Sequence, residues 1–367
     1  MNARRLAPLA LAALLVAAAA VWVSSRNRPE RPSGSSSPLL ASLAESIDAV
    51  GEVRLARGDG TVTTLQRRDN TWFVAQRSYP ADVGRLKSLL INLSALHAVE
   101  EKTRDPSRYA QLEVDDATGP QSHSTRIDIT AGQRTWSLLL GKDAGPRGSF
   151  VRIPGEAAAL LAQPLIQTDA QPTRWLKTDV LDLAADRVQQ VAVHPSDGPA
   201  YSIARDQPGA LDLTLHGVPP GRKPANATVD AIAASLARLN AQDVKESAAA
   251  PPEHPSRASF RTFDGLVLDL DGYRDADTAW IRISASVDPD TVRRTQTKGA
   301  ETKGTETKAT EAKQTDPASE AAAINARVGG HDFQIATYQY DAIYRQLKDL
   351  LAPVPDRVMT AGTKPAK

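Results

Sequence analysis

Two amphipathic helical patterns decide the fold of this chain: DVGRLKSLLINLSAL at residues 82–96 and TVDAIAASLARL at residues 228–239. In each stretch the apolar residues fall three or four positions apart, which places them on one face of a helix. Asp82 and Thr228 stand where a side-chain oxygen can cap the first turn. The apolar positions coincide without a gap: Val83 with Val229, Leu86 with Ile232, Leu90 with Leu236 and Leu93 with Leu239. The pattern therefore predicts the same helix twice in one chain.

Short strands with alternating apolar residues flank each helix. In the first copy they are expected at Val50–Leu55, Thr61–Arg67, Thr71–Gln76, Arg126–Thr130, Thr135–Leu140 and Ser149–Ile153. In the second copy they are expected at Val188–Val193, Ser259–Phe263, Leu266–Leu270, Ala279–Ser284 and Asp332–Thr337. Closing helices are predicted at Gly155–Ile166 and Tyr340–Leu351. We therefore predict an α+β fold of two tandem homologous modules, residues 39–180 and 181–353, each a mostly antiparallel sheet with packed helices.

The N-terminal stretch Leu6–Val23 carries no charge. As a helix its 18 residues would span about 27 Å, close to the hydrocarbon thickness of a bilayer. It is longer than the apolar region of a typical signal peptide, which favours an uncleaved signal-anchor over a cleaved signal. Residues 1–25 are therefore predicted to be a transmembrane helix, and because arginines flank both ends, the positive-inside rule only weakly favours a cytoplasmic N-terminus.

Three stretches are predicted to be disordered because their composition buries little apolar surface. The first is a tether at residues 26–38, rich in Pro, Ser and Arg. The second is an insertion in the second module at about residues 285–320, where lysines recur every five positions. The third is the tail at residues 354–367. A short helix is expected to resume at Ser319–Val328.

The composition excludes some functions. The chain has 44 basic and 43 acidic residues, so it lacks the excess of positive charge typical of a nucleic-acid-binding protein. It contains no cysteine, which rules out disulfides and lipid attachment to an N-terminal cysteine. No Walker A motif and no G-x-S-x-G nucleophile motif occurs, so the chain is not expected to be an ATPase or an enzyme of that hydrolase class.

A search for chemistry finds few candidates, and we predict no catalytic residue, no cofactor and no metal. The candidate metal ligands are the clustered carboxylates Asp269, Asp271, Asp275 and Asp277. Their spacing does not match an EF-hand, and a hairpin turn explains them better. The six histidines show no i, i+4 pair of the zinc-protease type. Arg152 and Arg282 recur at equivalent strand positions; each could contact an anion or a partner, or lie on the solvated face of its strand.

Taken together, these stretches resemble the DUF4340 family of membrane-anchored bacterial proteins. The resemblance covers most of Leu39–Pro353 and rests on four segments. They are Trp72 followed by Tyr79-Pro80-Ala81-Asp82, Leu140-Gly141 followed by Phe150-Val151-Arg152, Trp175–Leu183 before the strand at Val188, and Phe333–Leu351. Leu112-Glu113-Val114-Asp115 replaces the glycine-containing turn usual in the family. The resemblance implies an auxiliary part of an ABC-type export system of the class linked to gliding motility, and it implies no catalytic residue.

The expected function is therefore that of a non-catalytic accessory subunit that contacts the permease and ATPase of an ABC transporter. The expected location is the bacterial inner membrane, with a single span at residues 6–23 and the C-terminal body in the periplasm. The alternative is a periplasmic module that binds an envelope ligand, a glycan or a lipid, in a cleft between the two copies. A hydrolase whose site the sequence does not reveal is the third hypothesis.

Overall fold

The structure, a computed structural model, describes residues 37–210, 213–250, 253–294 and 316–353. The predicted transmembrane segment, most of the predicted tether, the middle of the predicted insertion and the predicted tail lie outside the described residues. Within the described ranges, no helix is both long enough and apolar enough to cross a bilayer.

The secondary structure is mostly β. The α-helices are α1 (Leu43–Ser46), α2 (Val83–Ser94), α3 (Tyr109–Leu112), α4 (Asn226–Ala233), α5 (Pro317–Val328) and α6 (Thr337–Ile343). The first ten strands are β1 (Glu52–Arg57), β2 (Val62–Arg68), β3 (Thr71–Val74), β4 (Tyr79–Pro80), β5 (His97–Thr103), β6 (Thr125–Ala131), β7 (Arg134–Asp143), β8 (Ser149–Arg152), β9 (Ala159–Gln163) and β10 (Asp179–Leu181). The others are β11 (Val188–His194), β12 (Tyr201–Ala204), β13 (Thr214–His216), β14 (Leu239–Asn240), β15 (Asp243–Glu246), β16 (Ser256–Thr262), β17 (Leu266–Asp275), β18 (Thr278–Val287) and β19 (His331–Ile335). Short 3-10 helices occupy Ile47–Ala49, Ala75–Arg77, Pro106–Arg108, Gly145–Arg147, Pro172–Trp175, Ala185–Arg187 and Leu347–Leu350.

The described chain divides into two compact units. Unit 1 contains residues 37–62 and 87–170, and unit 2 contains residues 63–86 and 171–353. The predicted module boundaries, 39–180 and 181–353, stay a prediction.

In unit 1, six strands pair in the order β1-β6-β7-β8-β9-β5, and each pairing between neighbours is antiparallel. Alternating apolar side chains put Val53, Leu55, Ile127 and Ile129 at 1% exposure or less. Such alternation buries one face of a sheet. A smaller apolar cluster joins Tyr109 and Val114 to Phe150, Ala159 and Leu161.

In unit 2, eight strands form a sheet in the order β13-β12-β11-β16-β17-β18-β19-β15. Strands β2, β3 and β4 form a consecutive antiparallel ladder in the same unit. Helix α5 packs on β18, where the Asn325 side chain bonds both the N–H and the carbonyl of Ala285 at 2.8 and 2.7 Å. Arg187 adds a second attachment, because it donates to Glu320 at 2.9 and 2.8 Å and to Asp264 at 2.8 Å.

The two sheets share one connectivity. When strands are matched in chain order, β1-β6-β7-β8-β9-β5 corresponds to β11-β16-β17-β18-β19-β15, and the hairpin β2–β3 corresponds to β12–β13. In both sets a helix, α2 or α4, follows the hairpin and precedes the edge strand, β5 or β15. The described residues therefore confirm a mixed α+β fold of mostly antiparallel sheets.

Several sequence predictions need correction. Residues predicted as the closing helix Gly155–Ile166 instead contain strand β9, because Ala159–Gln163 pairs with β8 on one side and β5 on the other. Thr228 does not cap α4, which begins two residues earlier at Asn226. The predicted helix Tyr340–Leu351 is shorter and starts earlier, as α6, and a 3-10 helix follows at Leu347–Leu350. The short helix expected at Ser319–Val328 is confirmed as α5.

Candidate functional site

A polar cleft opens at one end of the eight-stranded sheet of unit 2. Four segments line it: residues 195–197 after β11, 253–256 at the start of β16, 272–274 in β17, and 340–349 in and after α6. They meet because antiparallel pairing brings the end of β11 and the end of β17 to the start of β16. The cleft volume is about 880 Å³, within the range of about 300–1,000 Å³ usual for small-molecule sites. We call it the tyrosine cleft.

Two tyrosines one helical turn apart give the cleft its name. The rings of Tyr340 and Tyr344 lie 4.6 Å apart between centroids, tilted by 49°. The Tyr344 ring fits over Gly272 of β17, where an added Cβ would come within 2.2 Å of the ring. Tyr344 is buried, and its hydroxyl has no hydrogen-bond partner among the described residues. Burial raises the pKa of Tyr344 well above the ordinary value of a tyrosine.

Charged groups of both signs surround the tyrosines. Arg274 Nη2 lies 2.5 Å from Asp341 Oδ1, and its guanidinium lies 4.9 Å from the centre of the Tyr340 ring. The Tyr340 hydroxyl contacts Ser256 Oγ at 3.4 Å, and burial raises the pKa of Tyr340. The Nε atom of Arg345 is buried without a hydrogen-bond partner in the described part of the chain. Two buried polar atoms of the lining residues, the Tyr344 hydroxyl and Arg345 Nε, thus make no hydrogen bond to any described residue.

The first of the two equivalent arginines, Arg152 in β8, is an internal structural group. It is 5% exposed, and its Nε donates to the carbonyl of Val114 at 2.8 Å. Its Nη2 donates to Asp116 Oδ1 at 2.6 Å, and its guanidinium lies 4.5 Å from the centre of the Tyr109 ring. The interpretation that Arg152 lies on a solvated face is therefore wrong.

The second, Arg282 in β18, pairs with a buried carboxylate. Its Nε donates to Asp332 Oδ1 at 2.8 Å, and Asp332 also accepts from Ser247 at 2.6 Å and from the Tyr273 hydroxyl at 2.8 Å. Asp332 is 2% exposed. Burial alone would raise the pKa of Asp332, but the hydrogen bonds from Arg282, Ser247 and Tyr273 outweigh it and hold the pKa below the ordinary value. Both equivalent arginines thus bind carboxylates of the protein itself.

The clustered aspartates do not converge. Asp271 lies 3.4 Å from Arg257 and Asp275 lies 3.7 Å from Lys245, while Asp269 is exposed in β17. Asp277 is in the turn between β17 and β18, next to Ala276 with φ +50°, so the expected hairpin turn is found. No group of three His, Asp or Glu side chains placed to hold a metal ion occurs among the described residues.

Sequence reasoning did not identify the tyrosine cleft. His254, one of the six histidines, is among the residues that line it. The available signal was the pair Tyr340 and Tyr344, an i, i+4 spacing that places both rings on one helix face. Their approach to Gly272 depends on strand pairing between distant segments, which the local pattern does not contain.

The sheet order and the internally paired charges define an α+β protein built around antiparallel sheets. The chain belongs to the family described as Domain of unknown function (DUF4340), whose characteristic sequence matches residues 72–259, just over half of its length. No similar protein was found among curated proteins or among solved structures.

Proposed function

We propose that this protein is a non-catalytic, membrane-anchored accessory subunit of an ABC-type transporter, with its body on the periplasmic side of the bacterial inner membrane. Membership of the DUF4340 family supports the proposal through the transport role that the family resemblance implies. The uncharged stretch at residues 6–23 supports the anchor. In this proposal the chain contacts a permease and an ATPase encoded separately.

The non-catalytic part of the proposal rests on how the buried charged side chains are paired. Two of the buried charged side chains serve the fold: Arg152 bonds Asp116, and Asp332 accepts from Arg282. Catalytic acids and bases are usually side chains whose pKa is shifted towards the working pH and which face a cleft. Asp332 is shifted the opposite way, below its ordinary pKa, by its own structural partners.

The shared strand connectivity supports the further proposal that the body consists of two tandem homologous modules. If the two halves of the body had independent origins, both would have had to acquire the same order of six strands, the same hairpin and the same helix position. Two related modules present two related surfaces, an arrangement suited to a partner made of paired subunits.

The test is co-purification from native membranes. The full-length chain, tagged at its C-terminus, is extracted in a mild detergent, and the bound proteins are quantified by mass spectrometry. The control is another single-pass membrane protein of the same cell with the same tag. The expected result is that a permease and an ATPase are recovered in a fixed ratio with this chain and are not recovered with the control protein. Recovery of the chain without either subunit, under conditions that preserve other transporters, contradicts the proposal.

A second candidate function is a periplasmic binding module for an envelope ligand, a glycan or a lipid. The tyrosine cleft favours it, because the cleft has the volume of a small-molecule site and its described lining residues are mostly polar or charged. The lining residues lie within 195–349, so the ligand would bind within the second predicted module.

A further inference from the structure

We infer that the tyrosine cleft is a binding site for a neutral saccharide. The inference rests on the second candidate function and decides between its two ligand classes. It combines the volume of the cleft, the polar character of its described lining and the balance of charge in that lining.

The lining argues against a lipid. An acyl chain is held by aliphatic and aromatic surface, since its binding is driven by burial of apolar area. Among the described residues that line the tyrosine cleft there is no Leu, Ile, Val, Met, Phe or Ala, and Pro195 is the one wholly aliphatic side chain of that set. The rings of Tyr340 and Tyr344 contact each other, the Tyr344 ring covers Gly272, and the Arg274 guanidinium lies over the Tyr340 ring, so little aromatic surface is left for an acyl chain.

The charges argue against an anionic ligand such as a phosphate or a lipid headgroup. Among the described lining residues, the permanent cations are Arg274, Arg345 and Lys348, whereas the carboxylates are Asp197, Glu253, Asp341 and Asp349. Asp341 already neutralises Arg274 at 2.5 Å. A bound anion would therefore face a surplus of carboxylates, and like charges brought together repel.

A neutral, hydroxyl-rich ligand satisfies both signs. Each sugar hydroxyl can donate to a carboxylate such as Asp349 and accept from a cation such as Arg345. Arg345 lines the cleft and is half-buried, so its guanidinium offers donors to a ligand. A ligand oxygen that accepts from the Arg345 guanidinium would gain a hydrogen bond to a charged group, which is stronger than a neutral one.

The test is titration calorimetry on the full-length protein in a polyoxyethylene detergent, which carries no sugar headgroup. The neutral probes are chitotetraose and maltotetraose; the anionic probes are inorganic phosphate and vesicles of phosphatidylglycerol mixed with phosphatidylcholine. We expect at least one neutral probe to bind with Kd of about 1 mM or tighter and neither anionic probe to compete. No binding of either oligosaccharide, or binding of phosphate or vesicles instead, overturns the inference.

Three variants locate the site. Arg345→Met keeps the bulk of the side chain and removes its donors, and Asp349→Asn removes one exposed carboxylate. Each is expected to weaken saccharide binding at least roughly tenfold, about 1.4 kcal/mol. Arg104→Met changes an exposed arginine of unit 1 that pairs with Glu101, and it is expected to leave binding unchanged. Wild-type affinity in both cleft variants, with unchanged near-ultraviolet circular dichroism, overturns the inference.

The result is separable from the transporter proposal. A chain that co-purifies with a permease and an ATPase but binds no saccharide retains the accessory role and loses this site. A chain that binds saccharide through Arg345 and Asp349 but purifies alone retains this site and loses the accessory role.

Discussion

Replacing Asp332 by Asn tests whether the equivalent arginines are structural. The carboxylate of Asp332 is 2% exposed and accepts four hydrogen bonds, two from Arg282 and one each from Ser247 and Tyr273. Removing one partner of a buried ion pair costs about 3–5 kcal/mol, because the other charge stays buried without compensation. The Arg282 side chain is 26% exposed and keeps a bond to the Ala248 carbonyl, which moderates the loss. We expect Asp332→Asn to lower the free energy of unfolding by about 3 kcal/mol.

The matched variant is Asp116→Asn, which changes the partner of the other equivalent arginine. Asp116 is 67% exposed, and Arg152 keeps its bonds to the carbonyls of Val114 and Glu156. Because Asp116 is solvent-exposed and the buried Arg152 guanidinium keeps two carbonyl acceptors, the expected cost is close to that of an exposed pair, about 1 kcal/mol or less. The assay is urea unfolding followed by tryptophan fluorescence, in which Trp280 of β18 reports on the strand that carries Arg282. Equal costs for the two variants, or a loss below about 1 kcal/mol for Asp332→Asn, would refute the reasoning.

Three further predictions follow from single contacts. Folding lowers the pKa of Asp332, so ionised Asp332 stabilises the folded state fully above its unfolded pKa of about 3.9, and this contribution is lost as the pH falls through the folded pKa. Unfolding curves at several pH values should therefore show that the free-energy cost of Asp332→Asn shrinks below about pH 4. Tyr79→Phe should raise the melting temperature or leave it unchanged, because the buried hydroxyl has no partner among the described residues; a loss above about 1 kcal/mol would reveal a partner. Gly141→Ala should cost about 1–3 kcal/mol, because its Cβ would lie 2.2 Å from the Leu112 carbonyl oxygen; Gly51→Ala, with nothing within 4 Å, is its near-neutral control in the same denaturation assay.

The sequence predicted the strands that alternate strongly. Strands β6, β7, β16, β17 and β18 appear where the apolar residues recur every second position. These strands lie inside their sheets and bury one set of side chains, so the local pattern contains the information that places them.

The missed strands are those whose formation depends on distant partners. Edge strands β5 (HAVEEKT) and β15 (DVKE) carry exposed charges that hide the alternation, as edge strands commonly do. Strand β9 has the alanine-rich composition of a helix, yet hydrogen bonds on both sides hold it in the sheet. Tertiary pairing overrides helix propensity, which contributes only tenths of a kcal/mol per residue.

The sites were less predictable than the fold. The recurrence of Arg152 and Arg282 was visible in the sequence, but their partners differ: Asp116 precedes β6, whereas Asp332 lies in β19. The tyrosine cleft joins Gly272 to Tyr344 across distant parts of the chain, and only the folded sheet brings them into contact.

The central claim is that this protein acts as a bound subunit of a larger membrane complex. The most direct measurement is the mass of the complex that contains it, determined by single-particle mass photometry after gentle extraction of the full-length chain from its native membrane. The account predicts a single species heavy enough for a permease, an ATPase and this chain together. A species with the mass of this chain alone or of its homo-oligomer, from membranes in which other transporters stay assembled, would contradict it.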